Sequence, residues 1–575
     1  MKKYASLLLL IALFSCKSEE KTNNLPKVQT SHPLIDSLNT DLQNVHKQNI
    51  LPGFAVSIFT KDSIIYQKGF GYADLESQKP YTPESVQIIA SITKTLIGVS
   101  LMKAVEAGQL ALDDAINDHL PFKVINPHFP NVPITARHLA THTSSIDDTK
   151  KSDKGYRFDT PLLKEKFPEA HHSLLKHYNQ TADISMADFL KLKLSFSEKW
   201  YEKEVFTTKE PGTHYEYSNL GATLLAYIIE LKTGQSFSDY TNTHIIKPLK
   251  MNSSTWNLDK IDSQKQVTYY NEILNSIPNY HIISYPDGGL YSSVTDLTKY
   301  LQEMIKGYDG ESKLLQKKSF REIMRKQYEG EELTDGLCWD LSFPNLIGHS
   351  GNDFGTATLM YFSPKTGIGR ILFTNISIEK EEQENAFYGI FNILFAYQFF
   401  KETKIKTHEE WLEREYEKQM TLAIHSDSID LFGISSTLPD DFYIYSNVKY
   451  IRIGCHQFNC LTSLSPKIKN FKKLKSLTLS KTSLKELPKQ IGELSTLKHL
   501  LVLGGGQLES VPKEIGQLTN LETLDLWRNK LTSLPNSIQK LTKLKILYIG
   551  ENNFSKSEIK RIKQLLPNCK VTLYR

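Results

Sequence analysis

Past a polar stretch at residues 17–28, the first apolar runs are 54–59 and 64–71, rich in β-branched and aromatic side chains and separated by the polar pair Lys61-Asp62. Two strands joined as a hairpin are predicted there. The period then changes. Leu96, Val99, Leu101, Met102 and Val105 recur at helical spacing over residues 95–110, and Gly108 marks the stop. Residues 146–210 are charged and show little periodicity, a pattern that suits a lid over a pocket better than a core. Strand-type runs return at 337–341, 356–362 and 369–375. The aromatic, apolar stretch 386–400 holds Asn392 and Gln398 and is shorter than the roughly 20 residues of a membrane span, so a helix packed on a sheet is predicted. The charged stretch 401–419 predicts a solvent-bridging helix between domains.

From about Val448 the chain repeats itself. Ile468, Ile491, Ile515 and Ile538 recur at intervals of 23, 24 and 23 residues, and Leu487-Pro488, Val511-Pro512 and Leu534-Pro535 keep the same step. The pattern Leu521-x-x-Leu524-x-Leu526-x-x-Asn529-x-Leu531 is that of a leucine-rich repeat, with partners at 474–484, 497–508 and 544–554. Gly504-Gly505-Gly506 can absorb the extra residue of the longer step. Val448, Ile451 and Ile453 read as a degenerate first unit and residues 555–575 as a closing cap, which a stack needs to hide its terminal apolar face. Ser476, Thr478, His499, Leu501, Thr523, Asp525, Trp527, Arg528, Ile546 and Tyr548 are placed on the concave surface. Of these, Trp527, Arg528 and Tyr548 are of the types enriched at binding hot spots and are the candidate partner-binding residues; the alternative is a stack serving as spacer or stabilising cap.

At 575 residues and 40% hydrophobic composition the chain is globular and too long for one core, given roughly 100–200 residues per domain. Its net charge of +5 conceals an asymmetry: residues 447–575 hold 23 Lys and Arg against 8 Asp and Glu, leaving 46 against 56 in the rest. An acidic body therefore carries a basic tail domain. Lys2 and Lys3 precede the apolar run Leu7–Phe14, which is too short to span a bilayer and suits a signal peptide. Leu13-Phe14-Ser15-Cys16 resembles the bacterial lipobox, implying lipidation at Cys16 and a membrane anchor; an ordinary cleaved signal is the alternative. Lys17, rather than Asp, argues against retention at the inner membrane, and Glu19-Glu20 is similar to the acidic export tag of some surface lipoproteins. A lipid-anchored protein of the cell envelope, at the outer membrane, is expected, with no nucleic-acid partner. Cys455 and Cys460 are close enough in sequence to pair across a loop, although Cys is also a common buried small residue. The histidines 171, 172 and 177 lie in a Lys-rich stretch and suit a solvated face, so neither a metal nor another cofactor is expected.

Chemistry concentrates at three places. Ser91-Ile92-Thr93-Lys94 puts a hydroxyl and an amine one helical turn apart, just ahead of the periodic run. Tyr217 and Asn219, two residues apart, can point the same way from an extended loop. His349-Ser350-Gly351 follows the run 337–341 and precedes 356–362. In this order the three resemble the active-site triplet S-x-x-K, S-D-N and K-T-G of serine β-lactamases and penicillin-binding proteins. The closer resemblance is to the class C and D-alanyl-D-alanine carboxypeptidase branch, whose middle element is Tyr-x-Asn. Residues 134–139, 141–144 and 287–292 support it, and the match covers about 35–400.

The resemblance implies an α/β hydrolase domain, an antiparallel sheet flanked by helices, followed by the leucine-rich-repeat α/β solenoid. The layout expected is a signal peptide at 1–15, a tether at 16–30, the hydrolase domain at 31–400, a helical linker at 401–440 and the repeat domain at 441–575. It also implies Ser91 as nucleophile, Lys94 and Tyr217 as proton acceptors, and the N–H groups of Ser91 and Asn352 as an oxyanion hole. Gly351 would keep its strand open to the substrate, and Asn219 would bind the substrate amide or hold Lys94. A cation beside Tyr217 and burial of Lys94 are expected to lower both pKa values. His349 replaces the usual Lys and is mostly neutral at pH 7, so a fixed positive charge for a substrate carboxylate is missing. His142 is expected to support the fold. An exported serine hydrolase acting on an ester, amide or peptide through an acyl-enzyme is the reading, with the repeats binding a protein or an anionic envelope or host component. The competing class is a catalytically silent adhesion or scaffold lipoprotein.

Overall fold

The computed structural model describes residues 33–148, 155–172, 175, 178–179, 183–328, 335–343, 345–397, 428–432, 438, 440–444, 448–454, 461–505 and 507–573. The signal segment with Cys16, the helix expected at 401–419, the Cys455–Cys460 pair and His177 lie outside the described residues.

The amino-terminal half is organised by the elements α1 (Pro33–His46), β1 (Gly53–Phe59), β2 (Ile64–Asp74), β3 (Lys79–Pro80), α2 (Lys94–Glu106), α3 (Asn219–Thr233), α4 (Val294–Asp309), β4 (Ile347–Asp353), β5 (Thr356–Phe362), β6 (Gly369–Thr374) and α5 (Glu381–Ala396). Among the described residues the strands form a six-stranded antiparallel sheet in the order β4-β5-β6-β1-β2-β3. The predicted hairpin is β1–β2, turned through Thr60–Ser63. Strands β1, β5 and β6 are buried at every position. Their side chains alternate between two cores, as the two-residue strand period requires. Phe54, Val56, Ile58, Leu359, Tyr361 and Leu372 face the α1 and α5 layer, whereas Ala55, Phe59, Met360, Ile371 and Phe373 face the layer holding α2, α3 and α4.

A cation belongs to the first of these cores. Arg370 of β6 is 3% exposed, and its guanidinium donates to the carbonyls of Leu394 (2.6 Å) and Tyr397 (3.4 Å) at the C-terminal end of α5 while stacking on Phe395. Burial draws its pKa down to about 9, and the negative end of the helix dipole faces the charge.

Several expectations change. Residues 337–341 form no strand: Cys338 has φ +58° and its N–H bonds the Ala140 carbonyl. This segment crosses α2 so closely that a Cβ on Gly98 would lie 2.2 Å from the Leu337 carbonyl oxygen. The predicted lid contains a helix, Met186–Leu194, which buries Met186, Phe189, Leu190 and Leu194. The helix expected at 386–400 begins earlier, at Glu381.

The repeat half is a parallel sheet: β7 (Ser428–Phe432), β8 (Tyr450–Gly454), β9 (Ser476–Ser480), β10 (His499–Leu503), β11 (Thr523–Asp525), β12 (Ile546–Tyr548) and β13 (Lys570–Thr572), paired in chain order. Strand β7 lies upstream of residue 441, so the solenoid sheet starts before the expected boundary. Helix α6 (Lys556–Leu565) and β13 close the stack. Each repeating isoleucine sits in a short 3₁₀ turn and is fully buried. Gly504 takes φ +64°, and a Cβ on Gly505 would lie 2.1 Å from the Thr482 carbonyl, so this is where glycine is required. Asp525, expected on the concave surface, is 2% exposed and accepts the Trp527 N–H. Trp527 and Arg528 follow β11 in its exit turn, with Arg528 at φ +60°.

Asparagines tie successive turns together. Asn529 donates to the Val502 and Leu526 carbonyls (2.9 and 3.1 Å) and accepts from Leu508 N–H; Asn552 donates to Leu526 and Ile549 (2.8 and 3.2 Å). Asn529→Ala strands these buried groups and is expected to cost roughly 1–3 kcal/mol within the repeat half. Hydrogen exchange should quicken in β10 and β11 and stay unchanged in β1; equal change in both halves would contradict the separate core.

Candidate active site

Ser91 lies in a 3₁₀ turn, Ala90–Thr93, that feeds directly into α2 at Lys94. The turn is held from the sheet side: the hydroxyls of Thr356 and Thr358 on β5 donate to the Ile88 and Ile89 carbonyls at 3.0 and 2.9 Å. Ala90 has φ +47°, a left-handed conformation costly for a residue with a Cβ. Gly351 on the edge strand β4 allows this approach, since a Cβ there would meet the Ile89 carbonyl at 2.5 Å and Ala90 Cβ at 3.0 Å. The glycine thus makes room for the turn that carries Ser91.

Lys94 is 0% exposed. Its Nζ donates to Ser91 Oγ at 3.0 Å and to the Asp287 carbonyl at 2.6 Å, and lies 5.1 Å from the Tyr217 ring centre. The Asp287 carboxylate receives the Thr223 hydroxyl of α3 at 3.0 Å. Burial works to lower the Lys94 pKa, as expected, but the electrostatic influence of the neighbouring Tyr217, Asp287 and Asp148 outweighs it, and the net displacement is upward. Lys94 is therefore an ammonium. The expectation of a lowered value fails because it counted burial without the neighbours.

Two imidazoles flank Tyr217. The His142 ring lies 4.4 Å from the Tyr217 ring, takes the Ser218 N–H on Nδ1 at 3.1 Å, and is 1% exposed. The His142 carbonyl also accepts the Glu216 N–H at 2.7 Å, so this residue positions the segment on both sides of Tyr217. Its pKa is driven well down by burial and then by the Lys94 charge. His349, 6% exposed, bonds the Ser350 carbonyl through Nδ1 at 2.5 Å, which places the proton on Nδ1 and leaves Nε2 an acceptor. Its ring is 6.5 Å from that of Tyr217. Burial first and Lys94 second draw its pKa to about 4. Of these three basic groups only Lys94 is charged at neutral pH, in line with a neutral His349.

The structure brings Ser91, Lys94, Tyr217, His349 and Gly351 together, with Ser91 and Tyr217 half-buried and Asn219 and Asn352 exposed. Asn219 is the first residue of α3, capped by Ser218, rather than part of an extended loop, and Lys94 takes its hydrogen bonds elsewhere. Trp527, Arg528 and Tyr548 lie in the repeat half. Sequence reasoning missed Asp287 and Asp148 as partners of Lys94; Asp287-Gly288-Gly289 was visible as a motif, but not its contact with a residue 193 positions away. Among the described residues no group of three or more His, Cys, Asp or Glu side chains gathers to hold a metal.

A His349 value of about 4 against an ordinary 6.5 means that the unfolded chain binds the proton more readily between those limits. The stability due to the neutral imidazole is fully present above about 6.5 and is lost as pH falls toward about 4. Thermal melts should fall across this window, and more steeply in the wild type than in His349→Gln; identical slopes would contradict the buried neutral ring.

The sequence profile described as Beta-lactamase matches residues 38–394, and one described as a leucine-rich repeat region matches 455–567. Protein flp of Staphylococcus aureus (strain MW2) is 25% identical over 348 residues, which are 59% of this chain and 62% of that protein. The serine beta-lactamase-like protein LACTB, mitochondrial, of Homo sapiens is 28% identical over 314 residues, 48% of this chain and 57% of that one. The chain thus spans about three fifths of the length of these curated relatives. An octameric penicillin-binding protein homologue from Pyrococcus abyssi superposes with a TM-score of 0.49 at 24% identity, over 67% of this chain and 81% of that chain. With its matched span covering more than half its length and carrying the Ser91–Lys94–Tyr217 cluster, the chain belongs to the beta-lactamase family of serine hydrolases and carries a C-terminal leucine-rich-repeat region.

Proposed function

We propose that the chain is an acyl-transferring serine hydrolase in which Tyr217 is the proton acceptor and Lys94 the fixed cation. The observation that carries this is the buried Lys94 side chain, which donates to Ser91 Oγ and to the Asp287 carbonyl and lies beside the Tyr217 ring. Lys94, already an ammonium, has no lone pair to accept a proton; its charge stabilises negative charge on Tyr217 Oη instead. As Ser91 Oγ bonds to the substrate carbonyl carbon, its proton passes to Tyr217, and the Ser91 and Asn352 N–H groups hold the oxyanion. Collapse breaks the bond to the leaving alcohol or amine, which takes the proton from Tyr217. Water then adds to the acyl-enzyme, losing its proton to Tyr217, and Ser91 is restored.

Specificity follows from His349. A neutral ring with its proton committed to the Ser350 carbonyl supplies no positive charge, which supports esters, amides or peptides without a carboxylate near the scissile bond. The kinship of Tyr217-x-Asn219 with the D-alanyl-D-alanine carboxypeptidase branch stays part of the proposal as a shared motif, while hydrolysis of β-lactams, and of peptides ending in a free carboxylate at the scissile bond, is not favoured. Lipid anchoring at Cys16 in the cell envelope belongs to the same reading; Cys16→Ala should move the protein from the detergent phase to the aqueous phase.

Ser91→Ala should abolish labelling by a fluorophosphonate probe and hydrolysis of p-nitrophenyl acetate with the circular dichroism spectrum unchanged. Lys94→Ala and Tyr217→Phe should each lower the rate on the order of 100-fold or more. Equal hydrolysis by wild type and Ser91→Ala, with no adduct on Ser91, would remove the hydrolase reading and favour the silent scaffold.

A further inference from the structure

The acidic body and the basic repeat array meet on the first turns of α5. Arg528, whose side chain is 20% exposed, has Glu384 Oε2 at 3.4 Å from both terminal nitrogens and Glu381 Oε1 at 3.5 Å from Nε. Glu551, from the repeat half itself, closes a third side at 3.3 Å. One α5 turn further on, Lys481 Nζ lies 5.4 Å from the centre of the Tyr388 ring, and its charge also faces Glu384. The acidic residues Glu381, Glu382 and Glu384 fill the first turn of a 16-residue helix, where the dipole favours negative charge.

We infer that the repeat array is latched to the amino-terminal half through Arg528 and Lys481, with α5 as the built-in occupant of the surface that these two residues present. Each contact is a partly exposed charge pair and weak alone. Three features add to it. Arg528 is shared by two α5 carboxylates, and Lys481 adds a cation over an aromatic face. The two halves carry opposite net charge, which steers them together. Both also belong to one chain, so docking is unimolecular and needs little affinity. The partner chemistry that fits this surface is therefore an acidic helical turn followed by a Tyr. An external protein presenting it must displace α5, and the repeat surface is free only when the latch opens.

The latch is independent of the hydrolytic reading and is tested on the intact chain by small-angle scattering. At about 50 mM salt the wild type should be compact, and it should expand as salt is raised to about 0.5 M, where the Debye length falls below about 5 Å. Arg528→Glu should expand it at low salt, as should Glu381→Arg with Glu384→Arg. Combining the two changes restores opposite charge and should restore the compact dimension. One radius of gyration shared by all four proteins and insensitive to salt would overturn the latch, as would failure of the combined variant to recover compactness. An unchanged circular dichroism spectrum in every variant shows that any expansion is movement of the halves rather than unfolding.

Discussion

One buried cation sets the terms for everything around it. Lys94 has no exposed surface, and an ammonium taken out of water is sustained only by geometry that returns most of its lost hydration. One neighbouring and two distant segments supply that geometry. The Ser91 hydroxyl and the Asp287 carbonyl accept from the amine, while the Tyr217 ring lies 5.1 Å from it. Thr223 of α3 in turn fixes Asp287. Both nearby imidazoles are neutral because burial first, and the Lys94 charge second, disfavour a proton on either ring. The cluster is thus one electrostatic unit, and Ser91 and Tyr217 are its half-open members.

The nucleophile's turn illustrates how packing serves that unit. Thr356, Thr358 and Gly351 come from a sheet hairpin more than 250 residues downstream, yet they hold Ile88–Ala90 in a backbone conformation an alanine rarely adopts. Sheet and helix layers are therefore not merely adjacent. The strained approach to Ser91 persists because strands buried on both faces leave the turn no alternative position.

How much of this was legible depends on the range of the interaction. Ser91 and Lys94, one turn apart, are visible from local spacing, as is the repeat array from the isoleucine step. The β1–β2 hairpin is visible from its polar break. Contacts between distant segments are not: nothing local to Asp287 says that its carbonyl faces Lys94, and burial without those neighbours points the Lys94 pKa the wrong way. The run at 337–341 crosses α2 closely at Gly98 and pairs with the sheet through a single bridge, Asp340 to Gly348, rather than forming a strand of its own. The helix at Met186–Leu194 did carry a readable signal, since its buried positions recur at three and four residues within a charged stretch. Arg528 is a contact residue by type, and local sequence says nothing of the Glu381 and Glu384 carboxylates that lie beside it in this structure.

The asparagine ladder has a consequence for how such a protein changes over generations. Asn529 and Asn552 each bond carbonyls of their own unit and of the unit before it, so the joint between neighbours is the same at both steps. Duplication or deletion of a whole unit recreates an identical joint, whereas an insertion of a few residues inside a strand would break two. The glycine bulge at 504–505 shows the tolerated exception, an extra residue placed in a turn. Repeat number is thus free to drift in descendants of this chain while the hydrolase half is held to a fixed length, because its sheet closes β1 of the amino-terminal end against β6 of the carboxy-terminal end.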